Sequence, residues 1–142
     1  MTQQVQTNAI FNHAYNFSRS DKKILIEQGG SRSGKTFNIL IWIIFDYCFN
    51  NTNHIITVCR KTFPSLRATV MRDFLDILKH YELYNEKYHN KSNSEYTING
   101  NIIEFISLDQ PAKIRGRKRN LLFVNECNEI DWDSWQQLIF RT

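Results

Sequence analysis

Eight residues near the start of the chain, Gly29-Gly30-Ser31-Arg32-Ser33-Gly34-Lys35-Thr36, match the spacing G-x-x-x-x-G-K-[ST] at every fixed position. The chemistry this spacing allows is phosphate binding. Glycines let the backbone turn tightly, so that consecutive N–H groups of the loop from Gly29 and Gly30 through Ser31, Arg32 and Ser33 to Gly34 point at one anion. Lys35 would reach the β- and γ-phosphates of a nucleotide, and the Thr36 hydroxyl would ligate Mg²⁺. A helix beginning at about Lys35 adds the partial positive charge of its N-terminus. Three of the chain's five glycines lie in these eight residues. The competing reading is a glycine-rich turn with no ligand. Neither reading yet says ATP or GTP, nor motor, kinase or switch.

A second group lies far downstream. Leu121-Leu122-Phe123-Val124 is an apolar run ending in Asn125-Glu126. Nucleotide hydrolases with a phosphate loop carry an acidic residue at the end of a second apolar strand, where it holds Mg²⁺ through water. Asn125 stands where the aspartate is expected. Its amide oxygen can accept from a metal-bound water but contributes no charge, so Mg²⁺ would depend more on the triphosphate and Thr36. Glu126 occupies the place of the carboxylate that polarises the attacking water as general base. Without function, the same pair is a strand end with an exposed carboxylate.

The elements that must position these groups follow from local patterns. Lys23 to Gln28, with Ile24-Leu25-Ile26 at its centre, reads as a buried strand, and Thr36 to about Phe49 as a helix ended by Asn50-Asn51-Thr52-Asn53. Ile55 to Cys59 is a second buried strand, suited to a parallel sheet covered on both faces. Arg60 to Pro64 leaves it as a loop. Leu66 to Tyr81 carries apolar residues at helical period. Tyr84 to Ser94 reads as loop. Tyr96 to Phe105 reads as a hairpin turned by Asn99-Gly100. Lys113 to Arg119 is strongly basic, and Trp132 to Phe140 reads as a last helix capped by Asp133. Residues 1–20 form a polar arm laid over the core. Tyr15 and Phe17 on that arm could stack on adenine, or simply cover the core. Residues 21–142 form the nucleotide domain. The class is α/β, with a mostly parallel sheet flanked by helices.

The 142 residues suffice for one core. Apolar residues make up 42% and the net charge is +4, which permits nucleic-acid binding without indicating it. Cys48, Cys59 and Cys127 show no C-x-x-C and read as reduced, mostly buried thiols. The histidines share no metal spacing with them. The polar start, with Gln3, Gln4, Gln6 and Asn8, does not fit a signal peptide. The apolar run from Ile39 to Cys48 is too short to span a bilayer, so no membrane association is expected.

Taken together, four stretches resemble the N-terminal ATPase region of tailed-bacteriophage terminase large subunits, the motors that package DNA into procapsids. They are the glycine loop with Arg32 inside it, Val58 to Arg67, Lys113-Ile114-Arg115-Gly116, and Val124 to Ile130 followed by a Trp-rich helix. The resemblance runs from about Lys23 to Arg141. It implies a P-loop NTPase of the RecA/ASCE type that binds ATP and Mg²⁺. Lys35 and Thr36 would bind phosphate and metal, with Asn125 on the metal side through water, and Glu126 would be the catalytic carboxylate. Arg32 would contact the γ-phosphate and couple hydrolysis to movement. Arg115 falls where related motors offer an arginine to a neighbouring subunit; a solvated or DNA-facing basic loop is the other reading. Arg60 and Lys61 read equally as salt-bridged loop residues.

The implied partners are DNA, through the full-length motor, a portal, a small terminase subunit and further copies of the large subunit, all in the host cell cytoplasm. In the family a coupling motif, more sheet and an RNase H-like nuclease domain come next. The chain stops at Thr142, so a truncated ATPase domain is expected, with outer strands and nuclease missing and a sheet edge exposed. Two readings compete: a small-molecule P-loop kinase with the Lys113–Arg119 run as its lid, and a non-catalytic assembly fragment.

Overall fold

The computed structural model describes residues 4–30, 33–114, 118–140 and 142. The N-terminal arm is built around a helix. Asn8 caps α1 (Ala9–Ser18) by accepting the Ile10 N–H at 2.9 Å, and Ile10 and Ala14 are its buried stripe. The expected strand at Lys23 to Gln28 is absent. The segment has no regular secondary structure and pairs with no strand among the described residues, leaving Ile24 58% and Ile26 77% exposed while Leu25 packs on the core.

Helix α2 (Lys35–Trp42) starts directly after Gly34. It continues through a π-helical segment, Ile43–Tyr47, into the short turn α3 (Cys48–Asn50). Strand β1 (Ile55–Arg60) follows. The next helix begins earlier than its apolar period indicates. Thr62 accepts the Ser65 N–H at 3.4 Å, and Pro64 fits in the first turn, where its missing N–H costs nothing. Helix α4 (Phe63–Leu66) therefore takes up part of the expected loop and runs through a second π segment, Arg67–Met71, into α5 (Arg72–His80).

Beyond α5 come a 3₁₀ turn at Glu86–Tyr88, then β2 (His89–Asn90), β3 (Glu95–Ile98), β4 (Asn101–Ser107), α6 (Pro111–Ile114), β5 (Leu121–Val124) and α7 (Trp132–Phe140). Asp131, not Asp133, caps α7, accepting the Ser134 N–H at 2.7 Å. That bond holds the Asp131 carboxyl below its usual 3.8.

Among the described residues the sheet has five strands in the order β2-β3-β4-β1-β5. β4 and β5 flank β1 in parallel, while β2 and β3 pair antiparallel. The sheet is thus mixed, which corrects the mostly parallel expectation. Two local causes account for this. Asn99 and Gly100 take φ 50° and 77°, the backbone of a two-residue hairpin turn, and such a short link can only return an antiparallel strand. The segment before the glycine loop, meant to extend the parallel part, is not in the sheet.

Both faces of β1 are covered. Ile56 and Val58 pack with Leu40, Ile41, Phe74 and Ile77 under α2 and α5. On the other face Cys59 meets Ile106, Ile114 and Leu138, under α6 and α7. Burial pushes the Cys48 and Cys59 thiols up to about 12, so both stay protonated, while Cys127 is exposed. Arg119, only 2% exposed, joins that second face to the sheet. It donates to the Thr57 hydroxyl at 3.0 Å and to the carbonyls of Leu138 and Ile114 at 3.0 and 2.9 Å. The Thr57 hydroxyl donates in turn to Glu104 at 2.6 Å.

Candidate nucleotide site

The sheet brings the two sequence-distant groups together. Ser33 N–H donates to the Gly30 carbonyl at 3.1 Å, closing the described part of the glycine loop. Gly34 takes φ 76°, a conformation that favours glycine, and a Cβ there would lie 3.1 Å from the Asn38 amide nitrogen. Helix α2 then opens at Lys35, so its first N–H groups and the positive end of its dipole lie at the loop. The Lys35 ammonium folds over the loop, donating to the carbonyls of Gly29 at 2.7 Å and Gly30 at 2.9 Å and to the Ser33 hydroxyl at 3.2 Å. Its three protons are thereby matched by three acceptors.

Opposite the loop stands the end of β5. The Asn125 N–H extends the ladder by one rung, donating to the Cys59 carbonyl at 2.8 Å. Its side chain, 7% exposed, donates to the Thr36 hydroxyl at 3.0 Å. With Nδ2 engaged there, Oδ1 is the atom left to accept from a metal-bound water. Glu126 is exposed and adopts φ 55°, ψ 53°, a left-handed backbone costing on the order of 1–2 kcal/mol for a residue other than glycine. Its carbonyl accepts the Glu129 N–H at 3.0 Å, and the Glu129 carboxylate reaches Arg60 at 3.2 Å. Arg60 also donates to Thr69 at 2.8 Å, so the loop carrying Glu126 is braced against the end of β1 and the second π segment.

Other candidates are placed differently. Ser31, Arg32 and Arg115 lie outside the described residues. Tyr15 is covered by the Arg19 guanidinium, 3.6 Å from its ring centroid. Arg119, read as part of a basic loop, is buried among carbonyls. Two residues escaped the motif reading. Asn38 donates to the Gly34 carbonyl at 2.9 Å, and Asn8 donates to the Ser33 carbonyl at 3.1 Å. Asn38 lies one helical turn after Gly34, a signal open to sequence reading; Asn8 offered only its place before a helix.

Among the described residues no three His, Cys, Asp or Glu side chains cluster as a metal cage. The donor set here, a threonine hydroxyl and an amide oxygen, would suit a Mg²⁺ ion that takes its remaining ligands from phosphate and water.

The α/β fold of this chain is shared with a solved large terminase. The structure of large terminase from a thermophilic bacteriophage, in its second crystal form, superposes with a TM-score of 0.76 at 17% identity, over 96% of this chain and 36% of that one. The third crystal form of the same protein gives 0.56 at 18% identity, over 80% and 28%. The chain thus spans well under half the length of that protein, and at these identities the likeness speaks for the fold. No curated protein matches in sequence. Residues 27–141 match the family described as terminase large subunit, T4likevirus-type, N-terminal. The chain belongs to that family.

Proposed function

We propose that the chain is the ATP-binding and ATP-hydrolysing part of a DNA-packaging terminase large subunit, a P-loop NTPase domain that couples hydrolysis to DNA movement into a procapsid. The observation that carries this reading is the 3.0 Å contact between Asn125 and Thr36, which brings the phosphate loop and the end of a parallel strand into one site. A glycine turn without a ligand has no need of that contact.

The residues divide the work as follows. Backbone N–H groups of the loop and the start of α2 bind the phosphates. Lys35 leaves its loop carbonyls for the β- and γ-phosphates, and loop and lysine exchange one set of partners for another. Thr36 and, through its amide oxygen, Asn125 would hold Mg²⁺, which when bound would supply neutralisation of developing phosphate charge. Glu126 takes a proton from the attacking water as general base. Its left-handed backbone and the Arg60–Glu129 brace set where that carboxylate starts from. Arg32 on the γ-phosphate and Arg115 toward a neighbouring subunit belong to the same reading, as do DNA, portal and small-subunit partners in the host cytoplasm. The burial of Arg119 argues against the basic run acting as a kinase lid.

ATPase and binding assays with Lys35→Ala and Glu126→Gln test the reading. Hydrolysis should vanish in Lys35→Ala and fall by roughly 10²–10⁴ in Glu126→Gln. Nucleotide binding should survive only in Glu126→Gln. Phosphate transfer to a small acceptor would replace the motor with a kinase. No binding of MgATP by the wild type would leave an assembly fragment.

A further inference from the structure

A phosphate loop works only if its peptide N–H groups face inward, and each carbonyl must then find a partner on the outside. In a trans peptide the C=O of one residue and the N–H of the next point in opposite directions. Pinning the Ser33 carbonyl therefore aims the Gly34 N–H, and pinning the Gly34 carbonyl aims the Lys35 N–H.

Two asparagines do this pinning. Asn38 Nδ2 donates to the Gly34 carbonyl at 2.9 Å, a carbonyl that also accepts the Asn38 N–H at 2.9 Å. Asn8 Nδ2 donates to the Ser33 carbonyl at 3.1 Å. The orientation of both amides is fixed by bonds that allow no alternative. The Asn8 N–H can only donate, and it meets Asn38 Oδ1 at 3.0 Å, which turns Asn38 Nδ2 to Gly34. The Ile10 N–H can only donate, and it meets Asn8 Oδ1 at 2.9 Å, which turns Asn8 Nδ2 to Ser33. Asn8 thus has two separable jobs. Its oxygen caps α1, and its nitrogen clamps the loop.

We infer that Asn8 is a positioning residue for the phosphate site, holding the Ser33–Gly34 peptide with its N–H toward a bound phosphate and linking α1 to nucleotide affinity. The inference rests on the nucleotide reading above. It assigns the segment before α1 a role in binding phosphate that neither the loop motif nor the family match contains.

The two jobs can be pulled apart. Asn8→Ser keeps an oxygen for the Ile10 N–H but has no amide to reach Ser33; Asn8→Ala loses both. Asn8→Thr serves as a second cap-retaining variant. Titration with inorganic tripolyphosphate, and with MgADP, reads the loop with and without a base, and thermal melts read the cap. Asn8→Ser and Asn8→Thr should bind tripolyphosphate about fivefold more weakly than wild type, the worth of one ordinary hydrogen bond, with the melting temperature unchanged. Asn8→Ala should show the same loss of affinity and also melt about 4 °C lower. If the cap-retaining variants bind like wild type, Asn8 is only a helix cap and the inference fails while the nucleotide reading stands. If wild type binds neither probe, the nucleotide reading fails and takes the inference with it.

Discussion

Asn125 is the residue at which this site departs most from an acidic metal-side partner. Its amide donates to Thr36, so the threonine oxygen accepts rather than donates. An aspartate would reverse that bond and, in the proposed site, would add a charge beside a metal-bound water. Asn125→Asp should therefore tighten Mg²⁺-dependent ATP binding by about tenfold, since charge-assisted hydrogen bonds are roughly twice as strong as neutral ones. A Mg²⁺ titration at fixed nucleotide measures this, and unchanged Mg²⁺ dependence would detach Asn125 from the metal. The two halves of this contact were legible in sequence, as a loop spacing and an apolar run ending in Asn-Glu. Asn8 and Asn38 were not read, because an asparagine acting on a carbonyl 25 residues away, as Asn8 does, leaves no periodic signal.

Among the elements, the hairpin was legible from Asn99-Gly100 alone, since a two-residue turn with positive φ has one outcome. The run Ile24-Leu25-Ile26 has an equally strand-like composition but lies outside the sheet. Composition does not choose a partner, and the backbone of this segment pairs with neither edge strand, β2 or β5. The helix expected from Leu66 starts earlier, at Phe63, because the capping side chain of Thr62, not the first apolar residue, fixes the boundary; the last helix starts at Trp132 as expected, but Asp131 and not Asp133 caps it.

The cap on α7 gives a pH prediction. The Asp131 carboxyl is held below its unfolded value, so its contribution is complete above the usual carboxylate range and is lost as pH falls through the folded value. Wild type should melt above Asp131→Ala at pH 7, and the gap should close in strong acid. A gap independent of pH would mean that the carboxylate charge does not matter to the cap.

At the scale of the whole molecule, Arg119 is the joint between the second core and the sheet, through Thr57, Ile114 and Leu138. Arg119→Ala leaves three buried acceptors without this donor. Urea denaturation should show a loss of about 3–5 kcal/mol, comparable to truncating Phe74 in the main core. A loss below about 1 kcal/mol would place the residue at the surface in solution.

The parallel part of the sheet brings the end of β5 to the glycine loop, where Asn125 meets Thr36 one residue after Lys35 and one before Glu126 in their own segments. Whether that place holds nucleotide is best read by calorimetric titration of MgATP into wild type, Lys35→Ala and Glu126→Gln. The account predicts one site in wild type and in Glu126→Gln, and none in Lys35→Ala. Equal binding by all three, or binding by none, would contradict it.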